Sequence, residues 1–372
     1  MIYLDNSSTT KIHPDVKDAM LPFLIEEFGN PSSKYYEPAL HAQDAVDNAR
    51  HQVAELLKAS SDEIIFTSGA TESNNMFLKG ATHYYQSKGK HIITSKVEHP
   101  SILECCHFLE REGFEVTFLD VDEYGRISIE ELKKEIRNDT ILISIMWGNN
   151  ELGSLNPIKE ISHLCQERRI LFHTDATQVI GKISIDLNEL PGISYLSCSS
   201  HKFHGPKGAG VAYIRKDEYG ILTPLTPLLH GGGQEKDYRS GTLAVHNIVG
   251  LGKAAELTNR DFTNCKYNLI ESENYLKSIL IEKFGRRIKF NNDSKEKIPG
   301  ILSVQFIGIN NEILLKKLAS AVAASTGSAC SSSKPSHVLS AIGLTLDEIR
   351  STIRFSLSGY MKKEELNIFK ML

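Results

Sequence analysis

Between Glu63 and Arg215 the chain alternates short apolar runs with stretches whose apolar residues recur at helical spacing. Residues 63–67, 91–95, 114–119, 140–146, 170–174, 193–198 and 209–215 read as strands. Short strands spaced by helices predict a mostly parallel sheet covered on both faces, an α/β architecture. The helix after the first strand runs through Asn74 and Leu78. Ser101 with Glu104, and Ser128 with Glu131, have the spacing of capping boxes that open the next two helices. Pro157 suits the first turn of another.

The pattern changes after His246. A long helical stretch to about Phe284 leaves the large domain, followed by strand-like residues 287–290 and 300–306 and a helix over 311–319. A Ser/Gly-rich loop at 325–333 and a strand-like 351–357 close a smaller α+β domain. The expected division is a large α/β domain over 15–259 and a small one built from 1–14 and 260–372.

A length of 372 residues agrees with two domains. The 42 Lys and Arg against 46 Asp and Glu leave a net charge of −4, which offers no whole-molecule attraction to nucleic acid or anionic lipid. The opening Met1-Ile2-Tyr3-Leu4-Asp5-Asn6 lacks the basic and apolar regions of a signal peptide, and no apolar run is long enough to span a bilayer. The expectation is a soluble, cytoplasmic protein. Six scattered cysteines without a Cys-x-x-Cys pair argue against a disulfide framework or a structural zinc site. Five of them sit in apolar or helical surroundings and read as core residues; Cys330, in the Ser/Gly-rich loop, differs.

Parallel α/β sheets bind ligands beyond the carboxyl ends of their strands. Those ends carry, in turn, Ser68-Gly69-Ala70-Thr71; Glu98 and His99; Asn149, Asn150 and Glu151; Asp175 and Gln178; and Ser199, Ser200, His201 and Lys202. Each alone is weak. The Ser68–Thr71 turn is either a phosphate cradle at a helix start or a simple cap, and Glu72 competes for the same positive helix end. Gly205-Pro206-Lys207-Gly208 lacks the ending of a P-loop, and His201 with His204 has metal-like spacing but no third ligand, so no metal is expected. Together the set suits pyridoxal phosphate, which needs a lysine for covalent attachment, a carboxylate facing its pyridinium nitrogen and a phosphate cup. Lys202, Asp175 and the Ser68–Thr71 turn with Ser199 and His201 would supply these.

At these residues the chain resembles the cysteine desulfurases of the NifS/IscS-like branch, within the class V aminotransferases of fold type I. The match runs through Tyr3-Leu4-Asp5-Asn6, Gly29-Asn30-Pro31-Ser32-Ser33, Thr67-Ser68-Gly69-Ala70-Thr71-Glu72-Ser73-Asn74-Asn75, Glu98-His99 and Asn149-Asn150-Glu151-Leu152-Gly153. It continues through Asp175-Ala176-Thr177-Gln178, Ser200-His201-Lys202, Gly231-Gly232-Gly233-Gln234-Glu235, Arg239-Ser240-Gly241-Thr242, Ser325-Thr326-Gly327-Ser328-Ala329-Cys330 and Ile353-Arg354-Phe355-Ser356. The resemblance implies that Lys202 carries the cofactor and Asp175 pairs with its ring nitrogen. It likewise implies that Gln178 and Asn150 would reach the ring hydroxyl side, and that His99 would stack on the ring as a candidate for proton transfer. Ala70, Thr71, Ser199 and His201 would hold the phosphate, with Thr242 from a second subunit of a homodimer. Asn30 and Arg354 would grip the substrate carboxylate, and Cys330 would be the nucleophile that takes sulfur from L-cysteine as a persulfide, leaving alanine.

Three places depart from the family pattern. Ser8 stands where alanine is usual, a change expected not to touch the chemistry; the loop after Cys330 is shorter than in the longest-looped members; and Leu357-Ser358-Gly359-Tyr360 lacks the usual Gly-Arg. The resemblance further implies an acceptor protein for the sulfur, serving iron–sulfur cluster assembly or thiolation of tRNA or DNA. The competing readings are a selenocysteine lyase or aminotransferase of the same fold, and a non-catalytic protein that binds partners.

Overall fold

The computed structural model describes residues 1–293, 296–327 and 335–371, so Cys330 lies outside the described residues. Twelve strands are present among them: β1 (Ile2–Tyr3), β2 (Ile64–Thr67), β3 (His91–Ser95), β4 (Glu115–Leu119), β5 (Thr140–Ser144), β6 (Leu171–Asp175), β7 (Ile193–Ser199), β8 (Gly210–Ile214), β9 (Ile288–Phe290), β10 (Ile301–Phe306), β11 (Val322–Ala323) and β12 (Thr352–Ser356). The seven from β2 to β8 form one sheet in the order β2-β8-β7-β6-β5-β3-β4. It is parallel from β7 across to β4, and only β8 runs against its two neighbours. The α/β architecture read from the chain is therefore present, each expected strand lying within a few residues of its place.

Both faces of this sheet are buried, which is why its strands lack polar alternation. Ile93, Ile143, Leu196 and Val211 join one core, shared with Val46, Val53 and Leu251 from covering helices. Their neighbours turn the other way: Ile92 and Leu142 pack with Leu78, Ile102 and Leu109, and Tyr195 and Ala212 with Met76 and Phe77. A third core gathers Leu4, Leu302, Val304, Ile353 and Phe355 around the antiparallel sheet β12-β10-β9. The 40-residue helix Val245–Phe284 serves two of these cores, burying Ile248 and Leu251 in the first and Leu276 and Leu280 in the third. The N-terminal β1 reaches the same region by pairing in parallel with β11. Among the described residues no helix is long and apolar enough to cross a membrane.

Two local expectations change. The helix Pro100–Arg111 does not open with a Ser101–Glu104 capping box. Pro100 takes the first turn, where its missing N–H and fixed φ cost nothing, and the cap moves back to His99, whose Nδ1 accepts from the Ser101 N–H at 3.1 Å. Pro157 likewise sits just before the helix Ile158–Arg168 as its cap. Ser128 does cap the helix Ile129–Glu135, accepting from the Glu131 N–H.

One segment is held against its backbone preference. Glu235, Lys236 and Asp237 are three successive non-glycine residues in the left-handed region, at φ 49°, 57° and 66°. The Glu235 carboxylate fixes them: it takes a two-pronged contact from Arg50 at 2.7 and 2.8 Å and the Phe66 N–H at 2.7 Å. Because Glu235 is buried and Arg50 largely so, Arg50→Ala leaves an uncompensated carboxylate and should lower unfolding stability by about 3–5 kcal/mol in urea titrations; a loss within 1 kcal/mol would mean that Glu235 does not hold this turn.

Candidate active site

From β3 the chain runs outward to β4, then returns to the other side of β3 to place β5 and β6. Beyond the carboxyl ends of the strands around this reversal lies a cavity of about 470 Å³. It is lined by residues that follow β2, β3, β5, β6 and β7 and by residues from both ends of the chain.

One end of the cavity is a small-residue cradle. Gly69 has φ 155° and ψ 175°, a conformation open essentially only to glycine, and a Cβ on Gly210 would stand 2.4 Å from the Gly69 Cα. This close backbone approach starts the helix Ala70–Tyr85, and no side chain caps it. Its first residues, Ala70 and Thr71, line the cavity with Ser199 and His201. Glu72 does not occupy the helix end. Its carboxylate turns to the Ser68 N–H at 2.9 Å and to Arg239 at 2.9 Å. Burial would raise that carboxyl, but the bonds from Arg239 and Ser68 outweigh it and hold it below its usual range. His201 bonds Thr9 through Nδ1 at 3.1 Å, and burial, with Lys202 and Lys207 nearby, pushes it down to about 4. It is a neutral imidazole at physiological pH.

Asp175, at the end of β6, is buried and accepts from Asn74 Nδ2 at 2.8 Å and from the Thr177 N–H at 2.9 Å. Lys202 ends the turn that follows β7, and its Nζ donates to the carbonyls of Ser7 at 2.6 Å and Ser8 at 2.8 Å. Gln178 Nε2 shares the Ser7 carbonyl at 3.0 Å. Asp175, Lys202, Gln178, His99 and Asn150 all border the one cavity.

Arg354 enters from β12. Its strand neighbours Ile353 and Phe355 face the third core, so alternation turns the guanidinium toward the cavity. Its Nη1 donates to the carbonyls of Asn150 (2.9 Å) and Gly327 (3.2 Å), and its Nη2 to Asp5 Oδ1 and Ser8 Oγ, both at 2.8 Å. Nε is buried and has no partner among the described residues. Ser8 is thus not a neutral departure. Its hydroxyl donates to Asp5 and accepts from the guanidinium expected to bind substrate, because the opening segment folds across the site.

Asn30 and Thr242 do not border the cavity; both are exposed, and Asn30 Oδ1 accepts from the Ser32 N–H. The described cysteines offer no ready thiolate. Cys105, Cys106, Cys165 and Cys198 are buried, which pushes Cys105 up to about 11 and Cys198 to about 12, and the thiol of half-buried Cys265 is raised as well.

Sequence reading missed Lys182. It is buried behind Lys202, donates to the Gln178 carbonyl at 3.1 Å and its side-chain oxygen at 3.4 Å, and is pushed down to about 7 by burial and then by Lys202 and Arg354. A lysine in an otherwise unremarkable stretch gives no signal of burial. Glu98 is likewise buried and is pushed up to about 8, while accepting from Ser95 Oγ and the Met146 N–H.

The residues present fit pyridoxal phosphate. Gly69, Ala70 and Thr71 bring a helix start with small side chains to the cavity, and an amine (Lys202), a carboxylate (Asp175) and a guanidinium (Arg354) border the same space. The comparisons with known proteins agree. The Aminotransferase class-V family profile matches residues 2–369. A protein named Cysteine desulfurase IscS from Dictyoglomus turgidum is 47% identical over 98% of this chain and 92% of its own length. Among solved structures, one titled NifS-like protein superposes with TM-score 0.91 at 36% identity, covering 99% of this chain and 96% of that one. Another, titled SspA in complex with cysteine, gives TM-score 0.82 at 37% identity, over 97% of this chain and 100% of that one.

Lys182 also generates a stability prediction. With its pKa held near 7 against an ordinary 10.5, the unfolded chain binds the extra proton between those values, so this residue's penalty is full below neutral pH and fades as pH rises. Lys182→Met should therefore raise the urea midpoint most at about pH 6 and least at about pH 10. A gain that grows with pH would show that the amine stays charged in the fold.

Proposed function

The chain belongs to the class-V aminotransferase family and works with pyridoxal phosphate as a cysteine desulfurase; we propose that it moves the sulfur of L-cysteine to Cys330 and releases alanine. The observation that carries this reading is the gathering of Lys202, Asp175 and the Ser68–Thr71 turn around one cavity with Arg354.

Bound there, pyridoxal phosphate supplies an electron sink that makes the Cα proton of an attached amino acid acidic. Ala70, Thr71, Ser199 and His201 would hold its phosphate, the first two at the start of a helix whose dipole favours an anion. Asp175, fixed by Asn74 and the Thr177 N–H, would favour a protonated ring nitrogen by its negative charge. Asn150 and Gln178 would serve the ring hydroxyl. Lys202 would tether the cofactor, and its Nζ would serve as the base for the substrate Cα proton. Arg354 would receive the substrate carboxylate, exchanging some of its present acceptors to do so; Asn30, exposed and outside the cavity, would join it only by moving toward the site.

Cys330 attacks the substrate sulfur as a thiolate. The carbon–sulfur bond breaks as the sulfur–sulfur bond forms, the carbon skeleton takes up a proton to leave as alanine, and Cys330 keeps one sulfur as a persulfide. No external oxidant or reductant is needed. That the described cysteines are held protonated by burial supports this assignment. The reading extends to a cytoplasmic homodimer in which Thr242 of each chain completes the partner's phosphate site. It includes a division into a cofactor unit over 15–259 and a smaller unit from 1–14 with 260–372, supported by the separate core around β10 and β12. The sulfur then passes to an acceptor protein for iron–sulfur assembly or thiolation.

Three variants test the proposal. Cys330→Ala should keep the cofactor's colour and lose persulfide formation from L-cysteine; unchanged release of sulfide and alanine would favour a lyase chemistry such as that of selenocysteine lyases. Lys202→Ala should bind cofactor yet yield no borohydride-trapped adduct, and normal trapping would show that another amine is used. Thr242→Ala should weaken cofactor retention without changing the oligomeric mass, and unaltered retention would remove Thr242 from the phosphate site.

A further inference from the structure

His99 is tied to Asp175 by a chain of hydrogen bonds whose directions the chemistry dictates. The Asp175 carboxylate only accepts, so Asn74 must present Nδ2 to it (2.8 Å). The other proton of Nδ2 goes to Ser101 Oγ at 2.9 Å. Asn74 is fully buried and keeps this orientation although its Oδ1 has no partner among the described residues, so the demands of the two acceptors decide it. Ser101 Oγ, already accepting, has its own proton to give, and His99 Nδ1 stands 2.8 Å away. The Ser101 backbone N–H, which cannot reverse its role, also points at Nδ1, at 3.1 Å.

Nδ1 therefore faces two donors and carries no proton. We propose that Asn74 and Ser101 are positioning residues that hold His99 as the neutral Nε2–H tautomer, so that it meets the cavity as a hydrogen-bond donor and neither as a base nor as an imidazolium acid. A base would need Nε2 stripped of its proton, which requires the Nδ1–H tautomer that the Ser101 N–H blocks. An imidazolium would need the same Nδ1 proton, placed at the positive start of the helix Pro100–Arg111. The charges facing the ring come from separate elements: Asp175 on β6 favours protonation, while Lys202 and His337 oppose it. Burial is larger than any of these and acts against the charged form.

The inference deepens the desulfurase reading, on which its catalytic meaning rests, but the tautomer is observable without turnover. Protein labelled with ¹⁵N-histidine, with His99 assigned by its loss in His99→Gln, is titrated by two-bond ¹H–¹⁵N correlation with and without cofactor. The expected result is a protonated Nε2 and an unprotonated Nδ1 through the neutral range, with no titration near the ordinary value of about 6.5. Ser101→Ala removes one of the two donors and should raise the His99 midpoint by about one unit, a tenfold gain in proton affinity, while Ser101→Thr restores wild-type behaviour. A wild-type Nδ1–H signal, an ordinary midpoint, or identical midpoints in Ser101→Ala and wild type would overturn the proposal. Should Ser101→Ala not fold, the wild-type spectrum alone decides. Loss of desulfurase activity in the Lys202 and Cys330 variants bears on the reaction and leaves this test untouched.

Discussion

A sheet buried on both faces confines its chemistry to the ends of its strands. Ile92 and Ile93, or Tyr195 and Leu196, point to opposite cores, and neither face has room for a ligand. The chain can present Lys202, Asp175, His99 and Asn150 together only where its strands stop, and the reversal of winding beside β3 opens the space they share. The rest of the site follows from that geometry, including the glycine cradle where the end of β2 meets β8.

The second organising element is the opening segment of the chain. Asn6 Nδ2 donates to the Ser356 carbonyl, the carbonyls of Ser7 and Ser8 hold Lys202, and Asp5 and the Ser8 hydroxyl hold Arg354. A strap a few residues long therefore positions both the Lys202 amine and the Arg354 guanidinium, which border the one cavity. Because Arg354 rides on β12, beside the core that also receives β1, any movement of that strand is felt at the cavity. The Arg354 guanidinium is already engaged on both of its terminal nitrogens, while its Nε has no partner among the described residues.

The strands were legible because apolar runs covered on both sides leave a strong local pattern, and the reactive residue types were legible because they follow those runs. Other features left no local trace. The capping role of His99 was hidden by an adjacent Ser101–Glu104 spacing that mimics a capping box, and Pro100 decided the matter. Lys182 looks like any surface lysine until the fold buries it behind Lys202. Arg50 and Glu235 lie far apart in sequence, so nothing in either neighbourhood announces their pairing or the left-handed turn it holds. Nothing near Ser8 in the sequence announces its hydrogen bond, because its partner, Arg354, comes from the other end of the chain.

What the chain's own pattern determined is the kind of architecture and the inventory of reactive groups. Periodicity and turn chemistry are short-range properties, and the residues after each strand need no distant partner to be noticed. Only the folded structure decided which groups share hydrogen bonds, which way each proton points and which charges are stripped of water. Those depend on contacts such as Asn74 with Asp175 or Asp5 with Arg354. The energy of such contacts comes from burial and from directions fixed by elements far apart along the chain, which no local window contains.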